Sequence, residues 1–247
     1  KRFMKKMLLR MIFKILDKYF KSQNYVNAQN KYFKSHYAFD IETQLRIRAL
    51  QSTCEFIEKN MSHLPMFKNK QDALDFSLKQ VKISGLYCEF GVYKGASVNH
   101  IAKVTKQEVH AFDSFEGLPE TWLTTHKEGH FALEKLPHFE PNVVVHKGWF
   151  NETLPDFTEK YKAPLAFLHI DCDLYSSTKT VFEALNKQII KDTIILFDEY
   201  FNYPHWQQHE YKVFKEFTEA NKISFEYLCY SSNTFGSKVA VRILDRE

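Results

Sequence analysis

Pairs of acidic residues follow two apolar runs of this 247-residue chain. The first run ends at Ile170 and is followed by Asp171 and Asp173, and the second passes directly into Asp198 and Glu199. Two bare carboxylates about 4 Å apart repel each other by about 4 kcal/mol at an effective dielectric constant of about 20. A divalent cation turns that repulsion into attraction, and a site made only of oxygen atoms favours Mg²⁺ over zinc. The pattern predicts a magnesium site, with helix capping or exposure to solvent as the alternative for any single acid.

A carboxylate beside such an ion could also act as a general base. A hydroxyl group becomes more acidic when it binds a metal ion, and a nearby carboxylate can then remove its proton. Asp173 is the first candidate for this role and Asp171 is the second. His146 and His169 are weaker candidates, because each ends or lies within a predicted strand, where a structural histidine is the simpler interpretation.

A glycine-bearing turn lies between a predicted strand and a predicted helix in the segment 87–97, YCEFGVYKGAS. Gly91 permits a sharp turn, and Gly95 keeps side-chain bulk away from a ligand above the turn. The segment lacks the G-x-G-x-x-G triplet of dinucleotide-binding proteins, and Glu89 within it would repel a pyrophosphate. Asp113, at the end of the next predicted strand, lies where an acid commonly accepts hydrogen bonds from ribose hydroxyls. S-adenosylmethionine, which carries a cationic amino group and a sulfonium, fits these residues; a helix-capping loop without a ligand is the alternative.

Aromatic residues near the predicted strand ends suggest further ligand contacts. Trp149 and Phe150 are candidates to flank an adenine ring, with core packing as the alternative. The segment 203–206, YPHW, is a candidate wall for an acceptor sugar. Residues 120–140 contain three histidines without metal-ligand spacing and predict a flap over the pocket.

Strand and helix patterns alternate from residue 85 onwards. Such alternation predicts a parallel sheet with helices on both faces. The last two strands are joined only by SSNTFGS, which is too short for a helical crossover, so they should pair antiparallel. The predicted strands are 86–90, 109–113, 143–146, 165–171, 193–198, 224–230 and 238–244, and the predicted helices are 41–60, 70–80, 97–105, 154–160, 177–187 and 208–220. The fold class is therefore α/β and doubly wound, with a mostly parallel seven-stranded sheet and a C-terminal antiparallel hairpin.

The segment 1–80 should form a helical N-terminal cap, and 81–247 should form the main domain. Residues 1–21 place apolar side chains on a 3.6-residue stripe between lysines and arginines, which predicts a basic amphipathic helix about 30 Å long. Such a helix packs on its own domain or a second subunit, or it binds anionic lipid, where each Lys or Arg contributes about 1 kcal/mol.

Composition disfavours several classes of protein. The net charge of +4 is too small to indicate nucleic-acid binding, and the four cysteines show no metal-ligand spacing. No apolar run reaches the roughly 18 residues of a membrane-spanning helix, and no cleavable signal pattern is present. We expect a reduced, cytoplasmic protein whose only membrane contact would be through residues 1–21 at the inner face.

Six sequence blocks together resemble the macrocin O-methyltransferase (TylF/MycF-like) family. The blocks, in chain order, are EFGVYKGAS, FDSFEGLP, KGWFNETLP, HIDCDLYSSTKTVFEAL, FDEYFNYPHWQQHEYKVFKEF and KVAVRI. Members of this family are class I S-adenosylmethionine-dependent enzymes that commonly use magnesium to methylate sugar hydroxyls on antibiotics and glycans. The resemblance covers approximately residues 80–245, and it implies methylation of a sugar hydroxyl in a glycan or glycosylated natural product.

The resemblance also implies roles for individual residues. The metal ligands would be Asp171, Asp198 and Glu199, with a glutamate where many members have a second aspartate. The cofactor-binding residues would be Glu89, Gly91, Val92, Tyr93, Gly95, Ser97, Asp113, Ser114, Trp149 and Asp171. The protein would assemble as a homo-oligomer and would have no nucleic-acid partner.

Other functions compete with this interpretation. A catechol-type O-methyltransferase shares the metal chemistry and would act on small phenols. A nicotinamide-dependent oxidoreductase is disfavoured by the missing glycine triplet, and a non-catalytic nucleotide-binding or scaffold protein is disfavoured by the retained acids. A nucleic-acid methyltransferase is disfavoured because no Asn/Asp-Pro-Pro-Tyr motif is present.

Overall fold

A computed structural model describes residues 14, 18, 21, 39–123, 125–232 and 235–246. The chain divides into two compact units, residues 1–48 and residues 49–247. In the first unit, residues 14, 18 and 21 are exposed lysines in helical conformation, and the rest of the predicted amphipathic helix 1–21 lies outside the described residues. The Asp40 carboxylate accepts a hydrogen bond from the Thr43 N–H at 3.2 Å, which caps the start of helix α1 (Ile41–Asn60).

Eight strands in the second unit form one sheet in the order β1-β7-β8-β6-β5-β2-β3-β4. They are β1 (Met66–Phe67), β2 (Leu86–Phe90), β3 (Val109–Asp113), β4 (Val143–Lys147), β5 (Leu165–Ile170), β6 (Ile194–Phe201), β7 (Ile223–Ser231) and β8 (Ser237–Arg246). Only β8 runs antiparallel to its neighbours, β6 and β7. The predicted mostly parallel sheet with a C-terminal hairpin is confirmed. The predicted count of seven misses β1, because two residues are too few to show a periodic pattern.

Helices cover both faces of the sheet. After α1 they are α2 (Lys70–Lys79), α3 (Ala96–Thr105), α4 (Phe150–Lys160), α5 (Tyr175–Leu185) and α6 (Glu210–Ala220). Phe157, Phe182 and Phe214, from α4, α5 and α6, belong to one apolar core. Leu74 and Ile101, from α2 and α3, belong to the other. All six residues of β5 are buried, which its unbroken apolar run predicts for a central parallel strand. None of the helices within the described ranges is long and apolar enough to cross a membrane.

Strand β6 extends further than its sequence pattern predicts. The prediction ends it at Asp198, whereas the strand continues to Phe201. Its pairing with β5 stops at Phe197, and its pairing with β8 is irregular between Phe197 and Phe201. Asp198 and Glu199 therefore lie within the strand, beyond the end of β5, and successive side chains of a strand point in opposite directions. The carboxylates of the two acids nevertheless lie close together, because both contact the Lys70 ammonium.

Candidate active site

A cavity of about 910 Å³ opens beyond the carboxyl ends of the parallel strands. Gly91 follows β2, Asp113 and Ser114 end β3, Trp149 follows β4, and Asp171 follows β5; all five line the cavity. Ligands of doubly wound sheets bind at this edge. The sheet thus brings these sequence-predicted cofactor residues, and Tyr93 with them, to one wall.

The Asp113 carboxylate is already strongly engaged by the backbone. Its Oδ2 accepts hydrogen bonds from the N–H groups of Val92 at 2.7 Å and Tyr93 at 2.8 Å, and its Oδ1 accepts one from Phe115 at 2.7 Å. Each carboxylate oxygen offers about two lone pairs, so only Oδ1 retains one for a ligand. Asp113 therefore fixes the shape of the glycine turn, and it can accept one ribose hydroxyl where the sequence predicts two.

Glu89 lies beneath the turn, away from the cavity. It is fully buried, and its Oε1 accepts a hydrogen bond from the Ser97 hydroxyl at 2.7 Å. Its Oε2 lies 3.0 Å from Nδ1 of His169, which is also fully buried. Among the predicted cofactor residues, Glu89, Val92, Gly95 and Ser97 are absent from the cavity wall. Glu89 and Ser97 support the turn through their mutual hydrogen bond, whereas Val92 and Gly95 belong to the turn itself.

The two predicted turn glycines are required for different reasons. Gly91 has φ +85°, and a Cβ atom there would lie 1.7 Å from the Asp171 carbonyl oxygen. Gly95 has φ +78°, and a Cβ atom there would lie 3.2 Å from the Phe139 ring and 3.3 Å from Asn99. Gly91 thus permits the close approach of the turn to the end of β5. Gly95 makes room for protein side chains where the sequence predicts room for a ligand.

The acids after β5 and within β6 form two groups that share Asp171. His169, Asp171 and Asp198 each offer a ligand atom within 4.8 Å of the others, and so do Asp171, Asp173 and Glu199. Only the second group faces the cavity with all three side chains. The predicted ligands Asp171, Asp198 and Glu199 therefore do not form one group within 4.8 Å in this structure, although Asp198 and Glu199 share the Lys70 ammonium.

The cavity-facing group has the donor chemistry of a magnesium site. Its atoms are all carboxylate oxygens, and two like charges 4.8 Å apart repel by about 3.5 kcal/mol at an effective dielectric constant of about 20. Oε2 of Glu199 is buried and has no hydrogen-bond partner among the described residues. Asp173, at φ +61°, adopts a left-handed conformation that is rare outside glycine. Both features fit three carboxylates arranged around a cation.

Burial changes the protonation of this group. Burial, together with the neighbouring Asp171, raises the pKa of Asp173 to about 8. Burial also raises the pKa of Glu199 well above its usual value, although the Lys70 ammonium opposes that shift. Glu210, the first residue of α6, is fully buried, and burial followed by the Asp173 charge raises its pKa as well. Without a cation, burial therefore favours the protonated form of each of these carboxyl groups.

Aromatic side chains form the outer wall of the cavity. Trp122, His126 and Phe131 come from the predicted flap, and Phe235 comes from the connection between β7 and β8. Ring centroids of Trp122 lie 5.4 Å from His126 and 6.4 Å from Phe235. Flat rings at these spacings can pack against the apolar face of a sugar or against an aromatic group.

The candidate acceptor segment 203–206 lies behind this wall. Tyr203 is 1% exposed and packs 5.6 Å from Trp122, and Trp206 donates a hydrogen bond from its indole to Ser52 at 3.1 Å. Neither lines the cavity. Trp149 and Phe150, the candidates for an adenine contact, both line it.

Sequence reasoning missed two lysines beneath the cavity floor. Lys70 donates to the carboxylates of Asp198 and Glu199, and Lys238 donates to Asp198. The only sequence signal is at Lys238, a lysine that directly precedes the apolar run Val239–Val241. Lys70 begins a helix that is distant in sequence from both acids, so no local pattern could have indicated its position.

Comparisons with known proteins agree with this architecture. Residues 88–200 match the protein family described as "Methyltransferase domain". A curated relative from Streptomyces olivaceus, 8-demethyl-8-(2,3-dimethoxy-alpha-L-rhamnosyl)-tetracenomycin-C 4'-O-methyltransferase, is 26% identical over 172 residues, covering 57% of this chain. The chain spans 64% of the length of that relative.

Solved structures share the fold. The calicheamicin methyltransferase CalS11 has a TM-score of 0.59 at 21% identity, with 82% of this chain and 93% of that chain covered. The O-methyltransferase NovP has a TM-score of 0.51 at 19% identity, with 71% and 79% covered. The chain therefore has the class I methyltransferase fold, and its residues 88–200 match a methyltransferase domain.

Proposed function

We propose that this protein is an S-adenosylmethionine-dependent O-methyltransferase that acts on a sugar hydroxyl of a glycan or a glycosylated natural product. One observation carries the proposal: a single cavity joins the Gly91 turn and Asp113 to the carboxylates of Asp171, Asp173 and Glu199. The sugar O-methyltransferase named among the relatives supports the acceptor class.

In this proposal the carboxylates hold a divalent cation and accept a proton. S-adenosylmethionine would supply a methyl group on its sulfonium, and Mg²⁺ would make the bound hydroxyl more acidic. Asp173 would accept the hydroxyl proton, because its carboxylate lines the same cavity as Asp171 and Glu199 and would lie beside the bound hydroxyl. Asp171 and Glu199 would complete the oxygen ligands. Gly91, Tyr93, Asp113, Ser114 and Trp149 would contact the methyl donor.

The charges on the cavity wall favour an acceptor without phosphate groups. Six acidic residues line the cavity, and no lysine or arginine does so within the described part of the chain: the acids are Asp113, Glu116, Glu128, Asp171, Asp173 and Glu199. Even with a divalent cation on Asp171, Asp173 and Glu199, the negative charges of a nucleoside diphosphate would lie near the carboxylates of Asp113, Glu116 and Glu128, where like charges repel. We therefore infer a neutral glycoside as the acceptor.

The activity can be tested with purified full chain, labelled S-adenosylmethionine, Mg²⁺ and a panel of neutral glycosides. We expect release of S-adenosylhomocysteine that depends on both the glycoside and Mg²⁺. Asp173→Asn should lower turnover by about 100-fold or more, because general-base catalysis contributes about 10² to 10⁴. The exposed Asp156→Asn on α4 is the matched control and should stay within twofold of wild type. No glycoside-dependent product with any acceptor would contradict the proposal.

A phenol methyltransferase is the second candidate, and one observation favours it. The outer wall presents several flat aromatic faces, including Tyr93, Trp122 and Phe131, which would suit a planar phenol as well as a sugar. Small catechols in the same panel separate the two functions. Turnover of catechols at a higher kcat/KM than that of every glycoside would favour the second candidate.

A further inference from the structure

The Asp198 carboxylate is occupied on both oxygens by lysines. Lys70, the first residue of α2, donates to one oxygen, and Lys238, on β8, donates to the other. Lys238 is 4% exposed, and Asp198 is 6% exposed. Two ammonium groups thus already neutralise Asp198 beneath the cavity floor, and Asp198 does not line the cavity.

His169 completes the enclosure of Asp198. Because the Glu89 carboxylate only accepts hydrogen bonds, Nδ1 of His169 donates to it across 3.0 Å. Nε2 of a neutral His169 is then free to accept, and it lies 2.7 Å from the Lys238 ammonium. Lys238 therefore bridges His169 and Asp198, and a metal ion at Nε2 would have to displace the lysine.

Glu199 is arranged differently. Its Oε1 lies 2.7 Å from the Lys70 ammonium, its buried Oε2 has no nitrogen donor beside it among the described residues, and its side chain contacts the Asp173 carboxyl group. Glu199, unlike Asp198, lines the cavity together with Asp171 and Asp173. Lys70 thus neutralises one oxygen of Glu199, and a cation shared with Asp173 would satisfy the other.

We propose that the divalent cation is held by Asp171, Asp173 and Glu199, that Asp198 is a lysine-bound carboxylate outside the ligand set, and that Lys70 is a positioning residue for Glu199. This inference rests on the metal-assisted part of the proposed function. It departs from the ligand set implied by the family resemblance, in which Asp198 is a ligand.

Binding of Mn²⁺ to the full chain tests the ligand set without any need for turnover. Electron paramagnetic resonance of free Mn²⁺, with calorimetry, gives the stoichiometry and Kd; we expect one ion per chain. Asp173→Asn and Glu199→Gln should each weaken Mn²⁺ binding tenfold or more. Asp198→Asn, which keeps the shape and loses the charge, should change Kd by less than threefold. A loss in Asp198→Asn equal to that in Glu199→Gln would overturn the inference.

Substitution of Lys70 tests its positioning role, because the two possible roles of Lys70 predict opposite changes in the affinity for Mn²⁺. If Lys70 acted only as a nearby positive charge, Lys70→Met would tighten Mn²⁺ binding, because a competing cation is removed. If it positions Glu199, the same change should weaken binding fivefold or more, and Lys70→Arg, which retains charge and donors, should remain within twofold. Combined with Glu199→Gln, Lys70→Met should have no further effect. Tighter binding in Lys70→Met would refute the positioning role. So would an additive result, in which Lys70→Met weakens Mn²⁺ binding of the Glu199→Gln variant as much as it weakens binding of the wild type.

The results also separate this inference from the proposed function. Mn²⁺ binding that depends on Asp198 would refute the inference and leave metal-assisted methyl transfer intact. Methyl transfer that persists in EDTA, without Mn²⁺ binding, would refute the inference and the metal requirement but leave the methyltransferase activity itself. Urea unfolding of each variant establishes that a lost signal does not arise from loss of the fold.

Discussion

Replacement of Gly91 by alanine tests whether the position of the Gly91 turn determines the position of the Asp171 and Asp173 carboxylates. Gly91 has φ +85°, and the new Cβ would lie 1.7 Å from the Asp171 carbonyl oxygen and 2.6 Å from its carbonyl carbon. Both obstructing atoms are backbone, so no side-chain rotation relieves the clash. To restore a 3.0 Å contact, the turn and the end of β5 must separate by about 1.3 Å along that contact.

The expected loss of stability in Gly91→Ala has two parts. A left-handed conformation costs a non-glycine residue about 1–2 kcal/mol, and backbone displacement in a packed region adds about 1–3 kcal/mol. We expect the free energy of unfolding to fall by about 2–5 kcal/mol. Turnover should fall by about 100-fold, since a misplacement of about 1 Å can have that effect, and here the displaced segment includes Asp171 and leads to Asp173.

Gly129→Ala is the matched control. Gly129 also has a positive φ, +77°, but a Cβ atom there would meet nothing within 4 Å. The control should lose only the conformational part, about 1–2 kcal/mol. Urea unfolding and S-adenosylhomocysteine release would be measured for both variants. The reasoning would be refuted if Gly91→Ala had the same free energy of unfolding as Gly129→Ala and kept its turnover within threefold of wild type. The Gly91 turn would then not determine the position of the carboxylates.

Three further predictions concern other parts of the structure. Asp113→Asn should lower the free energy of unfolding by about 2–3 kcal/mol, because hydrogen bonds to a charged acceptor contribute about 1.5–3 kcal/mol. The same change should weaken S-adenosylhomocysteine binding at least tenfold in calorimetry, and unchanged binding would contradict the role of Asp113 in shaping the turn. Burial lowers the pKa of both His110 and His146 to about 4. The folded state therefore binds fewer protons than the unfolded state between pH 4 and about 6.5. The free energy of unfolding should consequently fall as the pH drops through that window. His146→Phe, which keeps a ring stacked 4.4 Å from Phe112, should make this fall in stability smaller. An identical pH dependence in urea titrations would refute the assignment. The kcat/KM for a neutral alkyl glycoside should be at least ten times the kcat/KM for the corresponding nucleoside diphosphate sugar. Glu128→Lys, a charge reversal on the cavity wall, should reduce the ratio of these two values. A higher kcat/KM of the wild type for the nucleotide sugar would contradict the inference of a neutral acceptor.

Local patterns were sufficient to predict most of the fold. The apolar run of β5, the alternation of strands and helices, and the short final connection are properties of contiguous residues, and the structure confirms the sheet they imply. The eighth strand escaped prediction because β1 is only two residues long and joins the sheet through residues distant in sequence.

The candidate site was predicted less completely, because its contacts also join residues that are distant in sequence. Asp171, Asp173 and Glu199 could be selected from sequence because acids that follow or extend apolar strands lie near one edge of a parallel sheet. The direction of each side chain depends on backbone details beyond that pattern, such as the left-handed φ of Asp173 and the continuation of β6 past Asp198. Glu89 illustrates the consequence: its place in the turn motif is clear, yet its carboxylate turns inward to Ser97 and His169.

Residue order alone thus establishes seven of the eight strands of the sheet and which acids gather near their ends, because these follow from contiguous hydrophobicity and from the glycines at the turns. Tertiary packing decides which of those acids remain available to a ligand. Lys70 and Lys238 reach Asp198 from distant parts of the chain, and a buried carboxylate takes as its counter-charge whichever cation the fold places beside it.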